Sequence, residues 1–171
     1  MTKKYGIIGN PIKHSLSPIL HNYWFEKYKI DANYSIIEIE KSELPNLINR
    51  IKNKDLIGIN ITLPYKQIIV PHIDVLINDA EITSSVNTVF LDDKGTVVGE
   101  NTDVYGLQAA YLKEVDSISR KNALVIGAGG VSPSVILSLE KCGVKNISLT
   151  NRTEEKCIFL KKKFKYLNII N

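Results

Sequence analysis

Three short polar stretches carry residue types that could grip and transform a small polar molecule. The first, Asn10-Pro11-Ile12-Lys13-His14-Ser15-Leu16-Ser17-Pro18, sets two hydroxyls, Ser15 and Ser17, at the start of a predicted helix, where an anion is favoured. Helix capping accounts for Ser17 and leaves Ser15 to be explained. The second, Gly58-Ile59-Asn60-Ile61-Thr62-Leu63-Pro64-Tyr65-Lys66, puts an amide, a hydroxyl and an ammonium just past a buried strand. The third runs from Ser85-Val86-Asn87-Thr88 to Gly99-Glu100-Asn101-Thr102-Asp103 and adds a second amide and a carboxylate. All three are read as lying at the C-terminal ends of strands, where open α/β sheets bind ligands. Amides and hydroxyls suit a ligand's hydroxyls and the paired serines suit its carboxylate, so the set points to a small polyhydroxylated acid.

A fourth stretch has a different chemistry. Ala123-Leu124-Val125-Ile126 runs into the turn Gly127-Ala128-Gly129-Gly130-Val131, and Ser132 then opens a helix. Positions without side chains let backbone touch a pyrophosphate, whose charge sits on the helix N-terminus. Ser132 stands where the dinucleotide fingerprint has its third glycine, and a small residue there still allows helix and strand to pack. The next strand ends in Thr150-Asn151-Arg152-Thr153, with Lys156 one turn later and no acid before Glu154. An arginine without a carboxylate beside it suits a 2′-phosphate better than a free ribose hydroxyl, so the pattern favours NADP over NAD. The structural alternative is that Asn151 to Thr153 caps a helix.

The elements that must position these groups alternate between strand-length apolar runs and helix-length amphipathic stretches, the pattern of an α/β fold with a mixed, mostly parallel sheet. Strands are expected at Tyr5–Gly9, Asn33–Glu40 and Leu56–Thr62, with helices from Ser17 to about Tyr28, capped by Ser17, and from Ser42, as cap, through Leu47 and Ile51. Helix resumes near Lys66 after Pro64. Asn87–Leu91 and Thr96–Gly99 flank the turn Asp92-Asp93-Lys94-Gly95 and are expected to form an antiparallel hairpin. A boundary near Asn101 to Asp103 then separates a first domain, 1–101, from a partial doubly wound domain, 102–171. The second should hold a helix from Thr102, strands at Lys121–Gly127 and Asn146–Thr150, and helices at Ser132–Cys142 and Thr153–Phe164. Only two of the roughly six strands of a full dinucleotide domain are found. The edge where a third would pair is expected to be exposed and the C-terminal half of that domain to be missing.

With 44% hydrophobic and 23% charged residues and a net charge of +4, the chain reads as ordinary globular protein. Its lysines and arginines are dispersed apart from Lys161, Lys162 and Lys163, so nucleic acid is not an expected partner. No apolar run approaches the roughly 20 residues of a membrane span. Cys142 and Cys157 have neither CxxC spacing nor a histidine set, which leaves buried free thiols in a reducing cytoplasm and no metal site.

Six motifs, HSLSP, NITLPYK, SVNT, ENTD, GAGG and NRT, stand in an order and spacing that resemble shikimate dehydrogenase over essentially the whole chain. The resemblance implies NADPH-dependent reduction of 3-dehydroshikimate to shikimate on the way to aromatic amino acids, by a monomer or homodimer whose partner is its small-molecule substrate. It also implies that Ser15 and Ser17 grip the carboxylate, that Thr62 and Asn87 contact ring hydroxyls, and that Lys66 and Asp103 are the catalytic pair. Chemistry agrees, since hydride delivery to a ketone builds charge on oxygen and a positioned ammonium can supply the proton. Ser84-Ser85 departs from the family's usual Gly-Ala before Val-Asn-Thr, and Val131-Ser132-Pro133 departs from its alanine-rich helix start. The alternatives are a quinate/shikimate dehydrogenase of the same fold, a shikimate-binding sensor without turnover, and an inactive truncated product.

Overall fold

Runs of isoleucine and valine interrupted by polar turns produce two separate sheets, which fall in different parts of the chain. A computed structural model describes residues 2–170 and divides the chain into two compact units, Met1–Asn101 and Thr102–Asn171. The first contains β1 (Lys3–Gly9), α1 (Ser17–Lys27), β2 (Ala32–Glu38), α2 (Leu44–Lys52), β3 (Gly58–Ile61), α3 (Tyr65–Ile68), β4 (Val75–Leu76), α4 (Asp79–Thr83), β5 (Thr88–Leu91) and β6 (Val97–Glu100). Its six strands are ordered β2-β1-β3-β5-β6-β4. β1 pairs in parallel with β2 and β3, β4 pairs in parallel with β6, and β5 runs antiparallel to both β3 and β6. The sheet is mixed because of the β5–β6 hairpin, whose turn is fastened by Asp92: its carboxylate accepts the backbone N–H groups of Lys94 and Thr96 at 2.9 and 2.8 Å.

One face of this sheet buries Ile8, Ile59, Ile61, Val89 and Val97 against Leu44, Leu47, Ile48 and Ile51 of α2, and this is the main core. Their spacing along α2 is that of one helical face. The opposite face carries a smaller cluster, Ile7, Ile12 and Tyr34, with Phe25 of α1 packed on it. No residue of α1 is fully buried.

Two helix starts differ from expectation. Leu16, not Ser17, is the N-cap of α1, and Ser17 is its first helical residue. The hydroxyl at that helix start belongs to Ser15, whose Oγ accepts the Ser17 N–H at 3.3 Å. Nor does Ser42 cap α2. A 3-10 turn, Lys41–Glu43, comes first, held by a reciprocal capping box between Glu40 and Glu43, and α2 begins at Leu44 with a proline in its first turn. The glutamates compete successfully because Glu43 reaches back to the Glu40 N–H at 2.7 Å. β4 and α4 were not foreseen, being too short to show a period.

The second unit contains α5 (Asp103–Ala110), β7 (Asn122–Ile126), α6 (Ser132–Lys141), β8 (Asn146–Thr150), α7 (Glu154–Lys163) and β9 (Asn168–Ile169). Its sheet is parallel throughout, in the order β7-β8-β9. The third strand corrects the expectation of two: β9 pairs with β8 through Asn168 and Ile169, so the edge of β8 is not open there. A two-residue ladder is too short for alternation to reveal. Val125, Ile136, Ile147, Leu149, Leu160 and Leu167 form its core. Cys157 is buried there, and burial pushes its thiol pKa up, whereas Cys142 is only partly buried and accepts a contact from Gln108 Nε2 at 3.7 Å. Among the described residues, no helix is long and apolar enough to cross a membrane.

Candidate active site

The first polar stretch leaves β1 at Gly9 and the second leaves β3 at Ile61, two neighbouring parallel strands that end at the same level, Ile8 opposite Ile61. The loops therefore meet. Asn10 N–H donates to Leu63 O at 3.0 Å and Thr62 N–H donates to Ile8 O at 2.9 Å. A Cβ on Gly9 would stand 2.6 Å from Thr62 Cγ2 and 2.9 Å from Leu63 O, so the close approach requires glycine. Both loops contain a cis peptide, at Asn10-Pro11 and Leu63-Pro64.

Between them opens a cavity of about 460 Å³ lined by Asn10, His14, Ser15, Ser17 and Thr62 among others. Three of the predicted substrate residues, Ser15, Ser17 and Thr62, are thus gathered in one place. Each is partly exposed, as a residue meeting a ligand must be. Asn10 and His14 line the cavity without having been singled out; both stand in the first stretch, and only their position beside the serines marks them.

Lys66 does not line this cavity and is the second residue of α3, which follows the second loop. Tyr65 beside it is buried and donates its hydroxyl to Ile39 O at 2.7 Å, and Val86 N–H donates to Lys66 O at 2.8 Å. These bonds hold the backbone that carries a half-buried lysine side chain. Asn87 sits not at the C-terminal end of a strand, as the sequence suggested, but just before β5. Because β5 is antiparallel to β3 and β6, its start falls at the sheet end where β1, β3 and β6 finish. Asn87 is clamped there, its N–H donating to Glu100 O at 3.0 Å and its carbonyl accepting Ile61 N–H at 2.8 Å.

The remaining polar groups of the second and third stretches are engaged within the fold. Asn60 lies inside β3 rather than past it and donates its amide to Thr88 Oγ1 at 3.2 Å. Asn78 Nδ2 donates to Glu100 Oε1 at 2.8 Å, and the buried Asn101 donates to Thr83 Oγ1 at 3.0 Å. Asp103, the last predicted site residue of these stretches, opens α5 in the second unit and is half-buried.

In the second unit the glycine-rich turn follows β7 and enters α6. Gly127 has φ +108°, a conformation that side chains disfavour, and its N–H extends the ladder by donating to Thr150 O at 2.8 Å. A Cβ built on Gly127 or Gly129 meets no protein atom within 4 Å, so the space beside both is open to a ligand. Ser132 does more than fit: its Oγ accepts Gly129 N–H at 2.9 Å and donates to Gly127 O at 2.9 Å, fixing the turn's shape. Ala128 N–H donates to Asn151 Oδ1 at 3.1 Å, and Asn151 Nδ2 donates to Thr153 O at 2.8 Å. Asn151 therefore ties the turn to the end of β8. Gly130 and Val131 complete the turn at the N-terminus of α6, and Arg152, Thr153 and Lys156 are exposed beyond β8. Thr153 is the N-cap of α7 but makes no side-chain cap bond. Open glycine backbone at a helix N-terminus, with two exposed cations past the neighbouring strand, fits a phosphorylated dinucleotide.

Comparison with known proteins shows which family shares this sequence and fold. Residues 7–89 match the family described as shikimate dehydrogenase substrate binding domain, and residues 109–171 match shikimate / quinate 5-dehydrogenase. A shikimate dehydrogenase (NADP(+)) of Pelagibacter ubique is 46% identical over 170 residues, which is 99% of this chain and 64% of that protein. The crystal structure of shikimate dehydrogenase from Aquifex aeolicus superposes with a TM-score of 0.91 at 39% identity, covering 99% of this chain and 63% of that one. The Thermus thermophilus enzyme, solved in complex with NADP(H) and shikimate, superposes with a TM-score of 0.86 at 29% identity, covering 99% and 63%. The chain thus spans less than two thirds of the length of these relatives. It belongs to the shikimate dehydrogenase family, of which it carries the N-terminal substrate domain and the start of the NAD(P)-binding domain.

Proposed function

We propose that the protein is an NADP-dependent shikimate dehydrogenase that interconverts 3-dehydroshikimate and shikimate, with residues 1–101 binding the substrate and residues 102–171 binding the nucleotide. The observation that carries this reading is the convergence of Ser15, Ser17 and Thr62 on one cavity, with Lys66 and Asn87 at the same end of the sheet. Ser15 and Ser17 offer hydroxyl donors to the substrate carboxylate. Thr62 and Asn87 bind ring hydroxyls and so fix the orientation of the ring. Lys66 donates a proton to the ketone oxygen as charge builds there, and takes it back in the reverse direction. Asp103 is the carboxylate that the resemblance to the family pairs with Lys66 in the chemistry. NADPH, when bound, supplies the hydride. Gly127, Ala128, Gly129, Gly130 and Val131 present backbone to its pyrophosphate, and Arg152, Thr153 and Lys156 face its 2′-phosphate, with Asn151 holding the turn. The two unpaired thiols are in keeping with a cytoplasmic enzyme.

The test is oxidation of shikimate with NADP, followed by NADPH absorbance, for the wild-type chain and Lys66→Ala. The expected result is turnover that falls about 10²- to 10⁴-fold in the variant, the range for loss of a general acid or base. Turnover that survives Lys66→Ala removes that residue from the chemistry. Absence of both turnover and saturable shikimate binding overturns the reading.

A further inference from the structure

Asn87, the proposed ring-hydroxyl contact, ends a chain of hydrogen bonds that begins on the far face of the sheet. Tyr34 is buried under α1, where Asn22 brackets it: Tyr34 N–H donates to Asn22 Oδ1 at 2.8 Å and Asn22 Nδ2 donates to Tyr34 O at 2.9 Å. His21 stacks on its ring, with centroids 4.2 Å apart and planes 5° from parallel. The Tyr34 hydroxyl donates to Asn60 Oδ1 at 2.8 Å, Asn60 Nδ2 donates to Thr88 Oγ1 at 3.2 Å, and Thr88 Oγ1 donates to Asn87 Oδ1 at 3.0 Å.

The directions of the first two side-chain bonds, Tyr34 to Asn60 and Asn60 to Thr88, follow from one fixed acceptor. Asn60 Nδ2 also lies 3.3 Å from the backbone carbonyl of Asn87, which can only accept, so that end of the Asn60 amide must be its NH₂. Its other end is then the oxygen, and Tyr34 must donate to it. Burial pushes the Tyr34 phenol above its ordinary pKa, so the donor keeps its proton. Thr88, which accepts from Asn60, keeps its one proton to give, and the structure sets Asn87 Oδ1 against it at 3.0 Å. The Asn87 carboxamide is thereby set with its oxygen on Thr88.

We infer that Tyr34, Asn60 and Thr88 form a positioning relay that holds Asn87 as a hydrogen-bond donor, so that the substrate atom at Asn87 is read as an acceptor oxygen. This rests on the proposed contact between Asn87 and the substrate ring. None of the three relay residues touches the ligand; they act through Asn87. The relay also explains why two polar side chains, Asn60 and Thr88, occupy cross-strand positions in the middle of an apolar sheet. A hydroxyl ring atom can accept or donate, and an asparagine free to flip would accept either arrangement; one locked by Thr88 accepts only the first.

The test measures shikimate binding calorimetrically on the wild-type chain, Thr88→Val, Thr88→Ser, Asn87→Ala and the Thr88→Val/Asn87→Ala double variant. Thr88→Val keeps the branched shape and removes the proton that orients Asn87. It is expected to weaken binding about tenfold, while Thr88→Ser, which keeps the hydroxyl, stays within about twofold. Thr88→Val is expected to add nothing on the Asn87→Ala background, which a merely structural role would not produce. Equal affinity in Thr88→Val, or a full additional loss in the double variant, overturns the relay. If the wild-type chain binds no shikimate, the substrate reading fails, and the relay is read instead from the side-chain amide ¹⁵N–¹H signals of Asn60 and Asn87. Shifts of the Asn87 pair in both Tyr34→Phe and Thr88→Val support the relay, and unmoved signals overturn it.

Discussion

The two units hold their candidate sites by opposite means. In the first, the backbone is fastened by main-chain bonds between neighbouring loops, and the groups proposed to meet a ligand are side chains: the hydroxyls of Ser15, Ser17 and Thr62, which line one cavity, with the amide of Asn87 and the ammonium of Lys66. In the second, side chains do the fastening, Ser132 and Asn151 pinning the turn from Gly127 to Gly129, and the groups offered are backbone. The difference follows from the ligand chemistry proposed for each. A ring with several hydroxyls is distinguished by donors and acceptors at particular points, which side chains supply. A pyrophosphate is a diffuse anion that asks for close approach and N–H groups, which side chains would obstruct.

The contrast predicts that the second site fails when a side chain is added and the first when one is removed. The largest effect is expected for Gly129→Val. A Cβ at Gly129 meets no protein atom within 4 Å, so the substitution should leave the melting temperature of the chain essentially unchanged while it fills the space a phosphate would enter. NADP affinity should fall about 100-fold, or about 2.7 kcal/mol, with shikimate affinity untouched. Titration of each ligand separately checks this, and parallel losses of both ligands would erase the distinction between the two sites.

A smaller effect is expected at the residue that departs from the backbone rule. Arg152 is an exposed side chain beyond β8, and the task proposed for it is to meet a 2′-phosphate. Arg152→Ala should lower NADP affinity about tenfold and leave NAD affinity within about twofold, since one exposed charge-assisted contact is lost. Equal losses for NADP and NAD would return Arg152 to a general electrostatic role and leave Lys156 as the candidate for discrimination.

These two sites were unequally visible in the sequence, for reasons of range. The glycine turn is a local pattern: strand, GAGG and helix are contiguous, and their order alone implies backbone at a helix N-terminus. What could not be read there was that Ser132 and Asn151 are the fasteners, because Asn151 reaches Ala128 across two parallel strands. In the first unit the residue types were legible and their partners were not. The sequence groups Asn60 with the hydroxyl and ammonium just past a buried strand. Its place between Ile59 and Ile61 equally describes a strand residue on the opposite face, and only the pairing of Asn60 with Thr88 decides. Asn87 stands at the start of the expected strand Asn87–Leu91, so the rule of C-terminal strand ends does not reach it; antiparallel β5 reverses which terminus meets the site. Helix starts failed at Ser17 and Ser42 because neighbouring groups, Ser15 and the Glu40–Glu43 pair, reach the free N–H groups better. β9 escaped notice because two residues carry no period.

The smallest effect tests whether the first unit also has a position where backbone matters more than side chain. Ser84, which stands where relatives were expected to carry glycine, closes α4 in the left-handed region, at φ 47° and ψ 41°. A residue with a Cβ pays about 1–2 kcal/mol for that conformation, and glycine does not. Part of the gain is offset because glycine also frees the unfolded chain, by about 0.4–1 kcal/mol. Ser84→Gly should therefore stabilise the chain by about 0.5–1 kcal/mol, read as a higher urea midpoint at unchanged slope. Shikimate affinity should stay within about twofold, because Asn87 is held by bonds to β3, β6 and Thr88. A stabilised variant with markedly weaker shikimate binding would show the opposite: that the strain at Ser84 presses the Ser85-Val86-Asn87 segment into place, and that here, too, the backbone sets the site.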